Sequence, residues 1–112
     1  DVVNAHAAST KVGDQVECQA LKAVFGKAIP PVTANKSLIG HAMGASSAIE
    51  SILAMEGMIG GAVPPTINYT SDPKLPLDSV REDLRQIDQE HVLKNAFGFG
   101  GCNACIVFRR VG

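Results

Sequence analysis

The chain has 112 residues, 46% of them hydrophobic and 19% charged, which is the composition of one folded globular domain and not of a disordered tail. Ten Lys and Arg against eleven Asp and Glu give a net charge of -1, so neither nucleic acid nor an anionic membrane surface has a basic footprint to bind. The longest apolar stretch, Ala45 to Val63, is interrupted by Glu50 and Glu56 and punctuated by Gly57, Gly60 and Gly61, unlike a bilayer-spanning helix.

Asp1-Val2-Val3-Asn4 has no starting Met, basic leader or apolar signal core, so the chain is expected to begin inside a longer protein. Asp1 to Ala5 reads as a strand that delivers His6 to its C-terminal end. Asp14, with Glu17 three residues on, reads as an acidic capping box opening a helix. Val16, Ala20, Leu21, Val24 and Phe25 line its packed face until Gly26 stops the run. After Pro30 and Pro31, Val32-Thr33-Ala34 is expected to be a second strand running into a loop from Asn35 to Gly40. Ala48, Ile49, Ile52, Leu53, Met55, Met58 and Ile59 cover more than one stripe of a helix from Ala45 to Ile59, which predicts burial on most sides. A chain of this length hides roughly two-thirds of its unfolded surface, so such a helix calls for cover from a second domain or subunit.

Residues 66 to 90 are polar, contain Pro73 and Pro76 and read as a surface connection, with Arg81 to Asp88 a solvated face. His91 to Phe97 and Asn103 to Arg110 flank a glycine-rich turn and predict an antiparallel hairpin at one side of the sheet. The order strand, helix, strand, helix, strand, strand predicts an α/β layered domain spanning residues 1–112. Phe97-Gly98-Phe99-Gly100-Gly101 lacks the spacing of a dinucleotide loop and has no helix after it to hold a phosphate.

Cys18, Cys102 and Cys105 are an odd set in a chain without a secretory signal, which predicts free thiols in a reducing compartment. Cys102 and Cys105 form a C-x-x-C, yet no second clustered pair of Cys or His completes a zinc site, so no metal is expected. Taken singly, each histidine reads as a structural hydrogen-bonder. His6 at a strand end and His41 at the entrance to the apolar helix nevertheless occupy places where α/β folds put reacting groups, and Lys36 lies in the same loop as His41. A lysine beside two imidazoles disfavours their protonation and keeps them neutral donors, suited to stabilising an anion. Glu50 is either a buried carboxylate needing Lys36 or water as partner, or an exposed helix residue; the pattern leaves both open.

Asn4-Ala5-His6-Ala7-Ala8-Ser9-Thr10 with Gly13-Asp14, Lys36-Ser37-Leu38-Ile39-Gly40-His41 with Gly44-Ala45 and Glu50, Pro64-Pro65-Thr66-Ile67-Asn68, and Asn95-Ala96-Phe97-Gly98-Phe99-Gly100-Gly101-Cys102-Asn103 follow one another over nearly the whole chain. In this order and spacing they resemble the C-terminal half of a β-ketoacyl-acyl-carrier-protein synthase, the elongating condensing enzyme of type II fatty acid synthesis. The resemblance implies a thiolase-like fold, a mixed sheet with covering helices, in a homodimeric acyltransferase of the cytoplasm or an organelle stroma or matrix. It implies decarboxylative condensation of malonyl carrier protein with an acyl thioester held on a cysteine. No resident cofactor is needed, because the phosphopantetheine arrives on the acyl carrier protein. By resemblance His6 and His41 donate hydrogen bonds to the enolate oxygen, Lys36 supports His41, and Glu50 anchors the polar network. Phe99 is the gate whose backbone N–H joins the oxyanion hole, Gly98, Gly100 and Gly101 let its loop move, Phe97 belongs to the same substrate-binding segment, and Thr10 contacts the pantetheine arm.

Two positions depart from the family pattern. Ala8 stands where a second arm-binding Thr is usual, and Cys102 where Thr is usual. The resemblance implies that the nucleophile lies in the other, N-terminal half at a strand-to-helix elbow, a setting that no cysteine here shares: Cys18 falls inside a predicted helix and Cys102 in the hairpin turn. Other readings of the same residues are a non-catalytic partner subunit resembling a chain-length factor, a polyketide ketosynthase, or a free-standing α/β interaction module.

Overall fold

The structure, a computed structural model, describes residues 1–75, 77 and 83–112. Val2 and Val3 alternate across β1 (Val2–Asn4), and this period of two places them in separate cores. Val3 packs with Ala5, Leu21 and Val32, whereas Val2 packs with Ala54, Met58, Val63 and Val92. The first set is covered by α1 (Lys11–Phe25) and the second by α3 (Ser46–Gly60), so the sheet lies between two helices. Its strand order is β2 (Val32–Thr33), β1, β5 (His91–Gly98), β6 (Cys102–Arg109). β1 runs parallel to both neighbours, with Val3 opposite Val32 and Leu93, and β6 closes the edge antiparallel to β5. This is the expected mixed α/β sheet, with the hairpin at one side.

Local structure departs from expectation in four places. Helix α1 opens a turn before Asp14, because Thr10 is its cap and accepts the Gly13 N–H at 3.1 Å. A Cβ on Gly13 would lie 2.4 Å from that hydroxyl, so the cap requires glycine there. The face of α1 that packs is Glu17, Cys18 and Leu21, while Val16 and Val24 are exposed. The expected loop from Asn35 to Gly40 contains a single helical turn, α2 (Lys36–Ile39), which ends at Gly40.

Helix α3, preceded by a 3-10 turn at Met43–Ala45, is not buried on most sides in this chain. Ser46, Glu50, Ala54 and Met58, each four residues apart, form one buried stripe, and Ile49, Ile52, Met55 and Ile59 are exposed. The reason is that the sheet covers α3 from one direction only. From the expected surface connection, β4 (Arg85–Gln86) pairs antiparallel with β3 (Ala62–Val63) just before it, and Gln89 clasps the carbonyls of Gly57, Ala62 and Ile87. Pro76, Arg81 and Glu82 lie outside the described residues. Among the described residues no helix is long and apolar enough to cross a membrane.

Candidate active site

The C-terminal end of β1, the middle of β5 and the N-terminal part of α3 meet at one buried carboxylate. Glu50, 1% exposed, receives the Lys36 ammonium on Oε1 at 2.6 Å and the Lys94 ammonium on Oε2 at 2.5 Å. Of the two readings of Glu50 the structure therefore takes the buried one, with Lys36 as the expected partner and Lys94 as an additional one. Two cations against one anion leave this buried cluster with a net charge of +1, a suitable setting for a developing negative charge.

Lys36 spends its three N–H donors within the site. Besides Glu50, it donates to the His6 carbonyl at 2.6 Å and lies 3.4 Å from His6 Nδ1. An ammonium can only donate, so Nδ1 accepts and the proton of a neutral His6 ring sits on Nε2. Burial first, and then the Lys36 charge, hold the His6 pKa below the ordinary histidine value, which keeps the ring neutral. His41 reaches the same tautomer by a different route. Its Nδ1 lies 3.0 Å from the Met43 N–H and 3.0 Å from Ser46 Oγ. The backbone N–H must donate, leaving Nε2 protonated and free to donate in turn. Met43 takes a positive φ of 52° in this contact, an unusual conformation for a side chain of its size.

The two imidazoles stand edge to face with centroids 5.8 Å apart, and the Phe97 ring lies 5.5 Å from His6. Sequence-expected His6, His41, Lys36, Glu50 and Phe97 are thus brought together. Lys36 contacts His6 directly, whereas His41 is held by Met43 and Ser46. The direct hold on His41 thus comes from its own loop, with Lys36 lining the same cavity.

Phe99 is set apart from the cluster at the tip of the β5–β6 turn, 99% exposed, with Gly100 and Gly101 beside it at φ 81°. Gly98 ends β5 opposite Cys102. Thr10, whose oxygen caps α1, keeps its own hydroxyl proton to donate elsewhere. Ala7, Ala8 and Ser9 line one wall of a cavity of about 400 Å³ that Lys36, Ser37 and His41 also line, with Cys18, Leu21 and Val32 among its apolar residues. Cys102 and Cys105, three apart on one strand, point to opposite faces of the sheet and cannot share a metal ion.

Four site residues escaped the sequence reading. Glu17, read as part of a cap, instead accepts the backbone N–H groups of His6 and Ala7 at 2.9 Å each and the Asn95 amide at 3.0 Å. Ser46, Asn95 and Lys94 had no assigned contact. The available signal for Lys94 was a lysine in the strand Val92-Leu93-Lys94-Asn95-Ala96-Phe97, where a charged side chain needs a partner if it is to be buried.

Residues 1–70 match the family described as β-ketoacyl synthase, C-terminal domain. The chain is 42% identical over 111 residues to 3-oxoacyl-[acyl-carrier-protein] synthase 2 of Mycobacterium bovis, an alignment covering 98% of this chain and 27% of that protein. Among solved structures, the ishigamide ketosynthase/chain length factor superposes with a TM-score of 0.96 at 38% identity, over 100% of this chain and 28% of that one. A type II polyketide ketosynthase solved in complex with its acyl-carrier protein and bound to a hexaketide gives 0.93 at 35% identity, over 98% of this chain and 28% of that one. The chain spans about a quarter of the length of these relatives. The layered sheet is the thiolase-like fold of the ketosynthases, and on the match of residues 1–70 the chain belongs to the β-ketoacyl synthase family.

Proposed function

We propose that this chain supplies the decarboxylation half of the active site of a 3-oxoacyl-[acyl-carrier-protein] synthase in fatty acid elongation. The observation that carries the reading is the pair of imidazoles 5.8 Å apart, each with Nδ1 occupied and Nε2–H left to donate. Malonyl carrier protein places its thioester carbonyl between His6 and His41. As the bond to the carboxylate breaks and carbon dioxide leaves, its electrons pass into the enolate, whose oxygen takes both hydrogen bonds. The enolate carbon then attacks an acyl thioester on a cysteine outside this chain, and the cysteine thiolate departs. Lys36, held by Glu50, positions His6 and places a positive charge beside it, and the Phe99 backbone N–H serves the acyl oxyanion.

The partner is an acyl carrier protein, the kind of protein bound to the polyketide relative. Its arm runs past Thr10, and Ala8 omits one hydroxyl contact, a loss of about 0.5–1.5 kcal/mol. The exposed side of α3, with Ile52, Met55 and Ile59, packs against the remainder of a homodimeric protein. The likeness to a ketosynthase/chain length factor favours one second reading, a polyketide ketosynthase or its non-catalytic partner. The residue at the nucleophile position of the full-length protein separates these: a cysteine fits the condensing roles, whereas glutamine fits the partner.

His41→Ala in the full-length protein is expected to lower release of carbon dioxide from malonyl carrier protein by at least about a hundredfold, the scale of losing one oxyanion donor, while the cysteine is still acylated. Radiolabelled malonyl and acyl carrier proteins read the two steps separately. Equal loss of both steps overturns the role given to His41.

A further inference from the structure

Lys94 has no role in the reaction as described above, yet it is among the most deeply buried side chains in the molecule at 1% exposed. Its ammonium binds Glu50 Oε2 and the carbonyl of Asn95, so it is held by two acceptors on α3 and β5. We propose that Lys94 is a positioning residue: by neutralising Glu50 from the far side, it leaves the charge of Lys36 uncancelled and directed at His6. The inference rests on the decarboxylation reading for its consequence but not for its geometry.

The charge count explains why the second lysine matters. Lys36 and Glu50 alone form a neutral pair; at His6 the adjacent Lys36 outweighs Glu50, and Lys94 offsets what Glu50 takes away. Burial pulls the Lys94 pKa below the ordinary lysine value while Glu50 pulls it back up; as an ammonium Lys94 adds a second positive charge to the buried cluster, where screening by water is weak. Every element around His6 contributes a charged or titratable group. Glu17 comes from α1, Lys36 from α2, His41 from the loop before α3, Glu50 from α3 and Lys94 from β5. The carboxylates of Glu17 and Glu50 favour imidazolium, while Lys36 and Lys94 oppose it. With Lys94 removed, the carboxylates gain, and His6 takes up a proton at higher pH. A protonated Nδ1 faces the Lys36 ammonium as a like charge, which breaks the arrangement that orients the ring.

The test is the pH profile of kcat/KM for carbon dioxide release by the full-length protein, alongside a histidine-selective NMR titration of His6. Lys94→Met is expected to move the acidic limb upward by about half a pH unit, which cuts the rate up to about threefold well below the limb, with cysteine acylation unchanged. Lys94→Arg, which keeps the charge, is expected to hold the limb in place. Glu50→Gln combined with Lys94→Met restores the net charge of +1 and is expected to return the limb to its original position. Should Lys94→Met fail to fold, Lys94→Gln supplies a neutral side chain that still hydrogen-bonds Glu50 and Asn95. An unmoved limb in the neutral variants, or one equally displaced in the charge-restored double variant, overturns the proposal. If the wild-type protein releases no carbon dioxide, the decarboxylation reading fails, while the His6 titration still decides the role of Lys94.

Discussion

The two loops that flank His6 are built in opposite ways. From His6 to Thr10 the backbone is tied down by side chains of the following helix: Glu17 takes two N–H groups, Asp14 takes that of Ser9, and Thr10 caps α1. This loop holds positive φ at Ala7 and Ser9, where glycine would be the low-cost residue, so its hydrogen bonds offset conformational strain. From Gly98 to Gly101 the turn uses glycines for its positive φ, exposes Phe99 entirely, and among the described residues receives no side-chain hydrogen bond. The difference teaches that the loop carrying His6 is fixed by side chains from elsewhere in the chain, whereas the Phe99 turn is left to its own backbone preferences, as the proposed donor and gate roles require.

The largest effect expected from breaking this contrast is at Glu17. Glu17→Ala leaves the donors of His6, Ala7 and Asn95 without their acceptor and is expected to cost about 2–4 kcal/mol in denaturant unfolding of the full-length protein. Unchanged stability would show that water replaces the carboxylate and that the loop is not held in this way. An intermediate effect is expected at the other loop. Gly101→Ala meets no neighbouring atom, so its cost of about 1 kcal/mol is entirely the strain of φ 81°, readable as a small fall in thermal midpoint. The smallest effect on stability is Phe99→Ala, under about 0.5 kcal/mol because the side chain has no packing to lose, while acyl turnover changes. A stability loss as large as that of Glu17→Ala would mean that Phe99 is packed in the full-length protein and does not move as a gate.

The sheet and its hairpin were legible because they depend on local signals. Val2 and Val3 sit in a β-rich run, and two β-rich segments flank a glycine turn. The start of α1 was misplaced because Thr10 and Asp14 are both good caps one turn apart. The choice between them falls to Gly13, whose N–H donates to Thr10, and to Ser9, whose N–H occupies Asp14. The exposed side of α3 illustrates another limit. Its sequence reports how much apolar surface must eventually be covered, while the sheet in this chain reaches only the stripe through Ala54 and Met58.

The site divides along the same line. His6, Lys36, His41 and Glu50 could be named from the sequence because their residue types and places, at a strand end, in a loop and on an apolar helix, already imply chemistry. Which nitrogen of each imidazole carries the proton, and the second lysine behind Glu50, were decided only by the tertiary structure. Tautomer and charge balance depend on contacts over 30 to 44 residues of sequence, such as Lys36 with His6 and Lys94 with Glu50, as well as on a backbone bend at Met43 that no propensity encodes. Hydrogen-bond direction and dielectric screening are set within a few ångströms, and only folding brings those groups that close.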